Sequence, residues 1–307
     1  MKKIVLLAAV IISFASAKAQ QDAMLSQYMF NGLFLNPAYA GTHPYFTSSL
    51  LYRKQWVNFS GAPETMLLAV DGPIAKENMG VGLIVSNDKI GVTNQTDIHA
   101  NYSYHLKLND KSKLSFGAKA GVSQYRAKLT ELKVWDSDDQ VFMGDVQSML
   151  MPKFGFGVYY YSDRMYAGLS IPTLLAYQPG RKFSLDINKS SQIRKHYFFT
   201  TGYVHPINDK IKLKPSVLVK YVPNAPVQAD LNMAAMFNDV IWVGVSYRSG
   251  DAIVGVVEYQ ANQRFRVGYS YDFTTSRIRH YSAGSHEIMI GYDFGRDLVK
   301  VKTPRFF

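Results

Sequence analysis

A period of two constrains this chain more than any other feature. Along Arg264–Phe273, the residues Phe265, Val267, Tyr269, Tyr271 and Phe273 alternate with Arg264, Arg266, Gly268, Ser270 and Asp272. Successive side chains of a strand point to opposite faces of a sheet. Strict alternation therefore describes a strand with one apolar and one polar face. The pattern returns with Ile98, Ala100, Tyr102, Tyr104 and Leu106 set against Asp97, His99, Asn101, Ser103 and His105. It returns again with Leu114, Phe116, Ala118, Ala120 and Val122 set against Lys113, Ser115, Gly117, Lys119, Gly121 and Ser123. Phe154, Phe156, Val158 and Tyr160 repeat it, as do Ile288, Ile290, Tyr292 and Phe294.

Fourteen segments carry this signal. They lie near 45–55, 63–72, 79–87, 96–106, 112–124, 150–161, 164–171, 196–205, 211–220, 226–237, 240–248, 252–260, 263–273 and 285–294. Several joints are tight and rich in Asn and Asp, as at Asn109-Asp110, Ser162-Asp163, Asn208-Asp209, Asn238-Asp239 and Ala261-Asn262. These residues suit turns because they tolerate left-handed backbone and bond their own main chain. Longer joints fall at 57–62, 88–95, 125–149, 172–195 and 274–284.

An even number of strands of about ten residues, with tight turns at one end and long loops at the other, describes a transmembrane β-barrel. Aromatics make up 14% of the chain, which suits a lipid-facing wall with aromatic girdles. A secreted β-sandwich would alternate too, but it has no reason to alternate long and short connections. The reading is all-β: an antiparallel up-and-down barrel of about 14 strands over residues 45–294, bounded by outer-membrane lipid.

The first residues read as an export leader. Lys2 and Lys3 precede a short apolar run, and Ala17-Lys18-Ala19 offers a cleavage site, so residues 1–19 form a predicted signal peptide. Its removal takes three of 34 basic residues and none of 23 acidic ones, leaving 31 − 23 = +8. That charge is dispersed, which argues against a nucleic-acid partner. The chain has no cysteine, so Cys-based zinc sites are excluded.

Residues 20–44 form a separate unit, with SQYMFNGLFLNPAYAG at 26–41. Asn31-Gly32, Asn36-Pro37 and Gly41 break it too often for a strand. Its large apolar groups need cover, and irregular backbone at membrane depth is tolerated only inside protein or a watery lumen. It is expected to plug the periplasmic mouth of the barrel. Tyr28, Phe30, Phe34 and Tyr39 would pack on the inner wall, Asn31 and Asn36 would bond loop backbone, Pro37 would set a turn, and Gly41 would open the turn into the first strand. Residues 295–307, with Lys300, Lys302 and Arg305, would form a periplasmic tail.

No catalytic, cofactor or metal constellation is present in the sequence, and the expectation is a non-enzyme without cofactor. His99 and His105 share a polar face but lie about 20 Å apart along a strand, too far to share one metal. Asp136-Ser-Asp-Asp139 lacks the spaced ligands and glycine of a calcium loop. A three-residue hairpin at Ala261-Asn262-Gln263 would set Glu258 across from Arg266 as a lumen ion pair. Trp56, Phe59 and Pro63, around the first outer loop, are candidate partner contacts; Trp56 also suits a membrane girdle.

Several stretches together resemble the PorP/SprF family of the type IX secretion system. They are Gln21-Asp22 followed by SQYMFNGLFLNPAYAG, Arg53-Lys-Gln-Trp56 with Phe59-Ser-Gly-Ala-Pro63, and Met79-Gly-Val-Gly82 with Asp88-Lys-Ile-Gly91. Gly168-Leu-Ser-Ile-Pro172 and Val267-Gly-Tyr-Ser-Tyr-Asp272 leading into Gly284–Phe294 complete the set. Ala23 departs from the proline expected there. The resemblance implies an integral outer-membrane barrel serving secretion and gliding motility. It implies as partners a secreted surface protein or adhesin with a type IX C-terminal signal, and other secretion components. The alternative on topology is a passive channel or outer-membrane transporter of a small apolar ligand.

Overall fold

The computed structural model describes residues 24–74, 78–132, 144–176, 195–223 and 225–295. The leader at 1–19, the Asp136–Asp139 cluster and the tail beyond 295 lie outside the described residues. The strands are β1 (Phe46–Lys54), β2 (Glu64–Ile74), β3 (Met79–Ile90), β4 (Thr93–Asn109), β5 (Ser112–Ala127), β6 (Val146–Ser162), β7 (Met165–Ala176) and β8 (Tyr197–Tyr203). They continue as β9 (His205–Pro206), β10 (Ile211–Tyr221), β11 (Gln228–Phe237), β12 (Ile241–Arg248), β13 (Ala252–Gln260), β14 (Phe265–Thr274) and β15 (Ser285–Phe294).

Each strand pairs antiparallel with its chain neighbours, and the sheet closes where β1 meets β15, with Phe46 opposite Phe294 and Arg53 opposite Glu287. Closure leaves no unpaired edge for lipid to satisfy. β8 and β9 are two pieces of one wall strand. Both pair with β10 in one register, Gly202 opposite Ser216 and His205 opposite Leu213. Between those pairs sits Pro215, which has no N–H to give the ladder. The wall is thus a closed barrel of fourteen antiparallel strands.

The alternation sets the two faces of the wall. On β14, Arg266, Gly268, Ser270 and Asp272 are buried inside, while Val267, Tyr269 and Phe273 are exposed outside. On β4, His99, Asn101, Ser103 and His105 are buried, and Ile98, Tyr102, Tyr104 and Leu106 face out. A band of large apolar side chains circles the exterior, as lipid requires.

One expected loop is absent. The sequence suggested an open connection over 88–95, but β3 and β4 stay paired, Asp88 opposite Gln95 and Ile90 opposite Thr93. Gly91, at φ 56°, lets the chain turn with Val92 alone. The polar residues that read as loop are strand residues beyond the apolar band.

Val245 lies midway along β12 on the lipid face, 57% exposed in the isolated barrel. Replacing it with Arg should cost about 2–4 kcal/mol, the price of a cation near the bilayer midplane. Urea titration of the refolded protein in bilayers checks this; an unchanged midpoint would place Val245 off the lipid face.

Candidate functional site

The described residues ahead of β1 do not join the wall. They run through the lumen as three short 3-10 turns, Tyr28–Phe30, Gly32–Phe34 and Pro37–Tyr39. The two asparagines make this path. The Asn31 side-chain oxygen accepts from the Leu33 N–H at 3.2 Å, and that of Asn36 from the Ala38 N–H at 2.9 Å. Each thereby begins a turn. Their amide groups then reach the wall: Asn31 donates to Ser49 Oγ at 2.9 Å, and Asn36 to the Val158 carbonyl at 3.0 Å. Pro37, with φ fixed by its ring, opens the third turn.

The apolar groups face inner-wall side chains. Phe30 lies 6.4 Å from Trp242 between ring centroids, and Tyr39 meets Tyr159 edge-on at 5.7 Å. The Tyr28 hydroxyl accepts from Asn232 at 2.8 Å. Phe34 is half-buried and touches both apolar clusters of the lumen. Wall glycines mark the footprint. A Cβ on Gly117 would overlap the Ala38 backbone, and one on Gly157 would overlap the Asn36 side chain. Their absence is what lets the segment lie against the wall.

At the tight-turn end, Gly41 takes φ 68° and its N–H donates to Asp71 at 3.0 Å. The Ala40 carbonyl accepts from Ser103 Oγ at 2.6 Å and is 3.0 Å from His105 Nε2. At the opposite end the segment meets a buried ion cluster. Glu287 accepts the N–H groups of Ser26 and Gln27 at 2.8 and 2.7 Å. Ser26 Oγ donates to Asp272 at 2.7 Å. Arg53 bridges Asp272 at 2.7 Å and Glu287 at 3.1 Å. Arg248 joins Asp230 at 3.1 Å and Asp272 at 3.3 Å.

These charges belong to five strands, near their long-loop ends. The contacts of the segment therefore extend along the barrel's height, whereas the sequence reading seated it in one mouth alone. The ion cluster is the reason: it holds the Ser26 end far from Gly41. Sequence reasoning did not find this cluster. The one available signal was that inward charges accumulate on β11 to β15 and on β1.

The expected Glu258–Arg266 arrangement is corrected by register. The β13–β14 connection spans four residues, with Asn262 Oδ1 accepting from the N–H groups of Arg264 and Phe265. Glu258 therefore faces Gly268, and Arg266 faces Gln260. The two charges still approach diagonally at 3.6 Å, but Arg266 donates to Asp293 at 2.6 Å. Asp293 is the closer partner. His105 lies against Tyr161 and the Ala40 carbonyl, and among the described residues no cluster of metal-ligating side chains occurs.

Trp56, Phe59 and Pro63 lie together in the β1–β2 loop. Trp56 takes φ 47° and its N–H donates to Ser285 Oγ; Phe59 is exposed and Pro63 accepts from the Gln55 N–H. The long-loop half of the lumen keeps a cavity of about 280 Å³ above Phe34. Ile84 and Phe198 line it with the Asp97–Lys153 ion pair, whose atoms are 2.9 Å apart.

The sequence model of the family described as "Type IX secretion system membrane protein PorP/SprF" matches residues 17–292. The chain belongs to the PorP/SprF family. No curated protein matches it significantly. Among solved structures, the Ralstonia pickettii toluene transporter TbuX is similar at TM-score 0.50 and 10% identity, over 85% of this chain and 92% of that one. The CymD monoaromatic hydrocarbon channel is similar at TM-score 0.50 and 13% identity, over 86% and 93%. At such identities the likeness concerns the fold, that of outer-membrane barrels. PorP/SprF membership makes other type IX secretion components the partners of this barrel.

Three variants test the lumen geometry. Arg53→Ala leaves Asp272 and Glu287 short of a counter-charge and should destabilise the barrel by about 3–5 kcal/mol, read from its urea midpoint; no shift would mean the cluster is solvated. Exchanging Arg266 with Asp293 should recover more heat-resistant barrel on gels than exchanging Arg266 with Glu258. The reverse ranking would contradict the observed register.

Proposed function

We propose that this barrel is a non-enzymatic outer-membrane scaffold of type IX secretion, which assists the export or surface attachment of a partner protein such as a large adhesin. One observation carries the reading: the segment containing residues 24–45 occupies the lumen, bonded to the wall at both its ends. A wall filled in this way offers surfaces to partners in place of a conduit. In this reading the segment is a plug. The tight turns and the tail beyond residue 295 face the periplasm and the other secretion components. The long loops face outward, and Trp56, Phe59 and Pro63 meet the exported partner.

Deleting the gene and cataloguing surface and secreted proteins tests this. The expected result is loss of one or more proteins bearing a type IX C-terminal signal. An unchanged catalogue would refute the proposal.

The cavity above Phe34 favours a second reading, an outer-membrane transporter of a small apolar ligand. Its walls carry charged groups as well as Ile84 and Phe198, which suits such a ligand less well. Uptake of a labelled hydrocarbon that falls on gene deletion, with the surface proteins intact, would favour it.

A further inference from the structure

The long-loop rim is braced by main-chain bonds. Val57 N–H donates to the Gly284 carbonyl at 2.8 Å, and Ala283 N–H to the Val57 carbonyl at 2.9 Å. Gly91 N–H donates to Gly61 at 2.9 Å, and Lys128 N–H to Val92 at 3.1 Å. Thr275 N–H donates to the Asp251 carbonyl at 2.8 Å. Loops held this way lose little freedom on binding, which favours association.

The β14–β15 loop sits within this frame and carries a short 3-10 helix, Arg277–His280. Arg277, Arg279 and His280 are exposed, and Tyr281 is 71% exposed. Through the paired bonds at Val57 the loop is fastened to the one bearing exposed Phe59. Arginine and aromatic side chains on a rigid frame are the composition of interface anchors.

The described carboxylates of this rim are engaged away from the β14–β15 loop. Glu64 pairs with Lys54 at 3.1 Å, Glu131 with Lys128 at 2.7 Å, and Asp251 with Arg248 at 3.6 Å. Asp145 accepts the Thr130 N–H and hydroxyl at 3.0 and 2.8 Å, which hold its carboxyl below the usual range. Among the described residues Arg277 and Arg279 form no ion pair, and no described carboxylate neutralises them.

We propose that Arg277, Arg279 and Tyr281, with Phe59 beside them, form a docking surface for an acidic polypeptide face of the exported partner. The proposal rests on the secretion reading and names the chemistry of its partner. Arginines with exposed aromatics on loops braced by main-chain bonds have the composition of a protein interface, and lipopolysaccharide phosphate is the alternative that the test separates.

The test uses the full-length protein in nanodiscs, with poly-L-glutamate and lipopolysaccharide as probes. Poly-L-glutamate should bind, bind more weakly as salt rises, and lose at least tenfold in affinity in R277E/R279E. R277K/R279K, which keeps the charge, should retain most of it. Equal affinity in all three proteins, or binding of lipopolysaccharide alone, would overturn the proposal. Heat-resistant migration on gels verifies that each variant is folded. In cells, R277E/R279E should strip the same surface protein as gene deletion. If deletion strips it and R277E/R279E does not, the docking surface is wrong and the secretion reading stands. If deletion strips nothing, the secretion reading itself fails.

Discussion

Two consecutive backbone N–H groups, those of Ser26 and Gln27, point at one carboxylate, Glu287, inside a cluster of arginines and acids. The architecture depends on this interaction. Eight strands enclose a lumen that wall side chains can fill, and sixteen to eighteen leave a water channel. Fourteen fall between these, and inner-wall side chains alone do not fill the lumen here. The chain supplies its own N-terminal segment. Its aromatics cover the inner wall, and the ion cluster fixes its far end. A charge-assisted bond is roughly twice as strong as a neutral one, and this bond is shielded from water. The same shielding makes the cluster costly to leave half-paired.

The wall was legible because period two is local. Each strand announces its two faces within ten residues, and Asn-Asp turns mark the tight joints. The break between β8 and β9, beside Pro215 of β10, was not legible: 196–205 reads as one strand. What could not be read is whatever depends on register between strands. Arg53, Asp230, Arg248, Asp272 and Glu287 were each legible as polar residues in strand segments. Nothing in their own segments says that five strands bring them to one height. The Glu258–Arg266 pair is present at 3.6 Å, but a register two residues further along makes it diagonal instead of directly opposed. The turns at Asn31 and Asn36 were readable from Asn-Gly and Asn-Pro. Their second role, tying the segment to Ser49 and Val158, required the fold. The footprint has one sequence signal: Gly117, on the polar face of β5, leaves room for the Ala38 backbone.

The fold is shared with hydrocarbon channels, and fold alone does not choose among functions. What characterises this chain lies inside and on top. Inside, aromatics and asparagines of the segment ahead of β1 meet the inner wall. On top, main-chain bonds tie neighbouring loops into a rim whose arginines and aromatics are exposed. Both features suit a protein that offers fixed surfaces to other proteins.

A segment that threads the lumen keeps Asn31 beside Ser49 on β1. Cysteines placed at both positions in this cysteine-free chain, with intact cells treated with a short bis-maleimide, test this. Joining of the two thiols, with faster migration of the folded protein on gels, is the predicted result. Two thiols that stay unjoined and react independently with a membrane-impermeant maleimide would show that the segment lies outside the barrel.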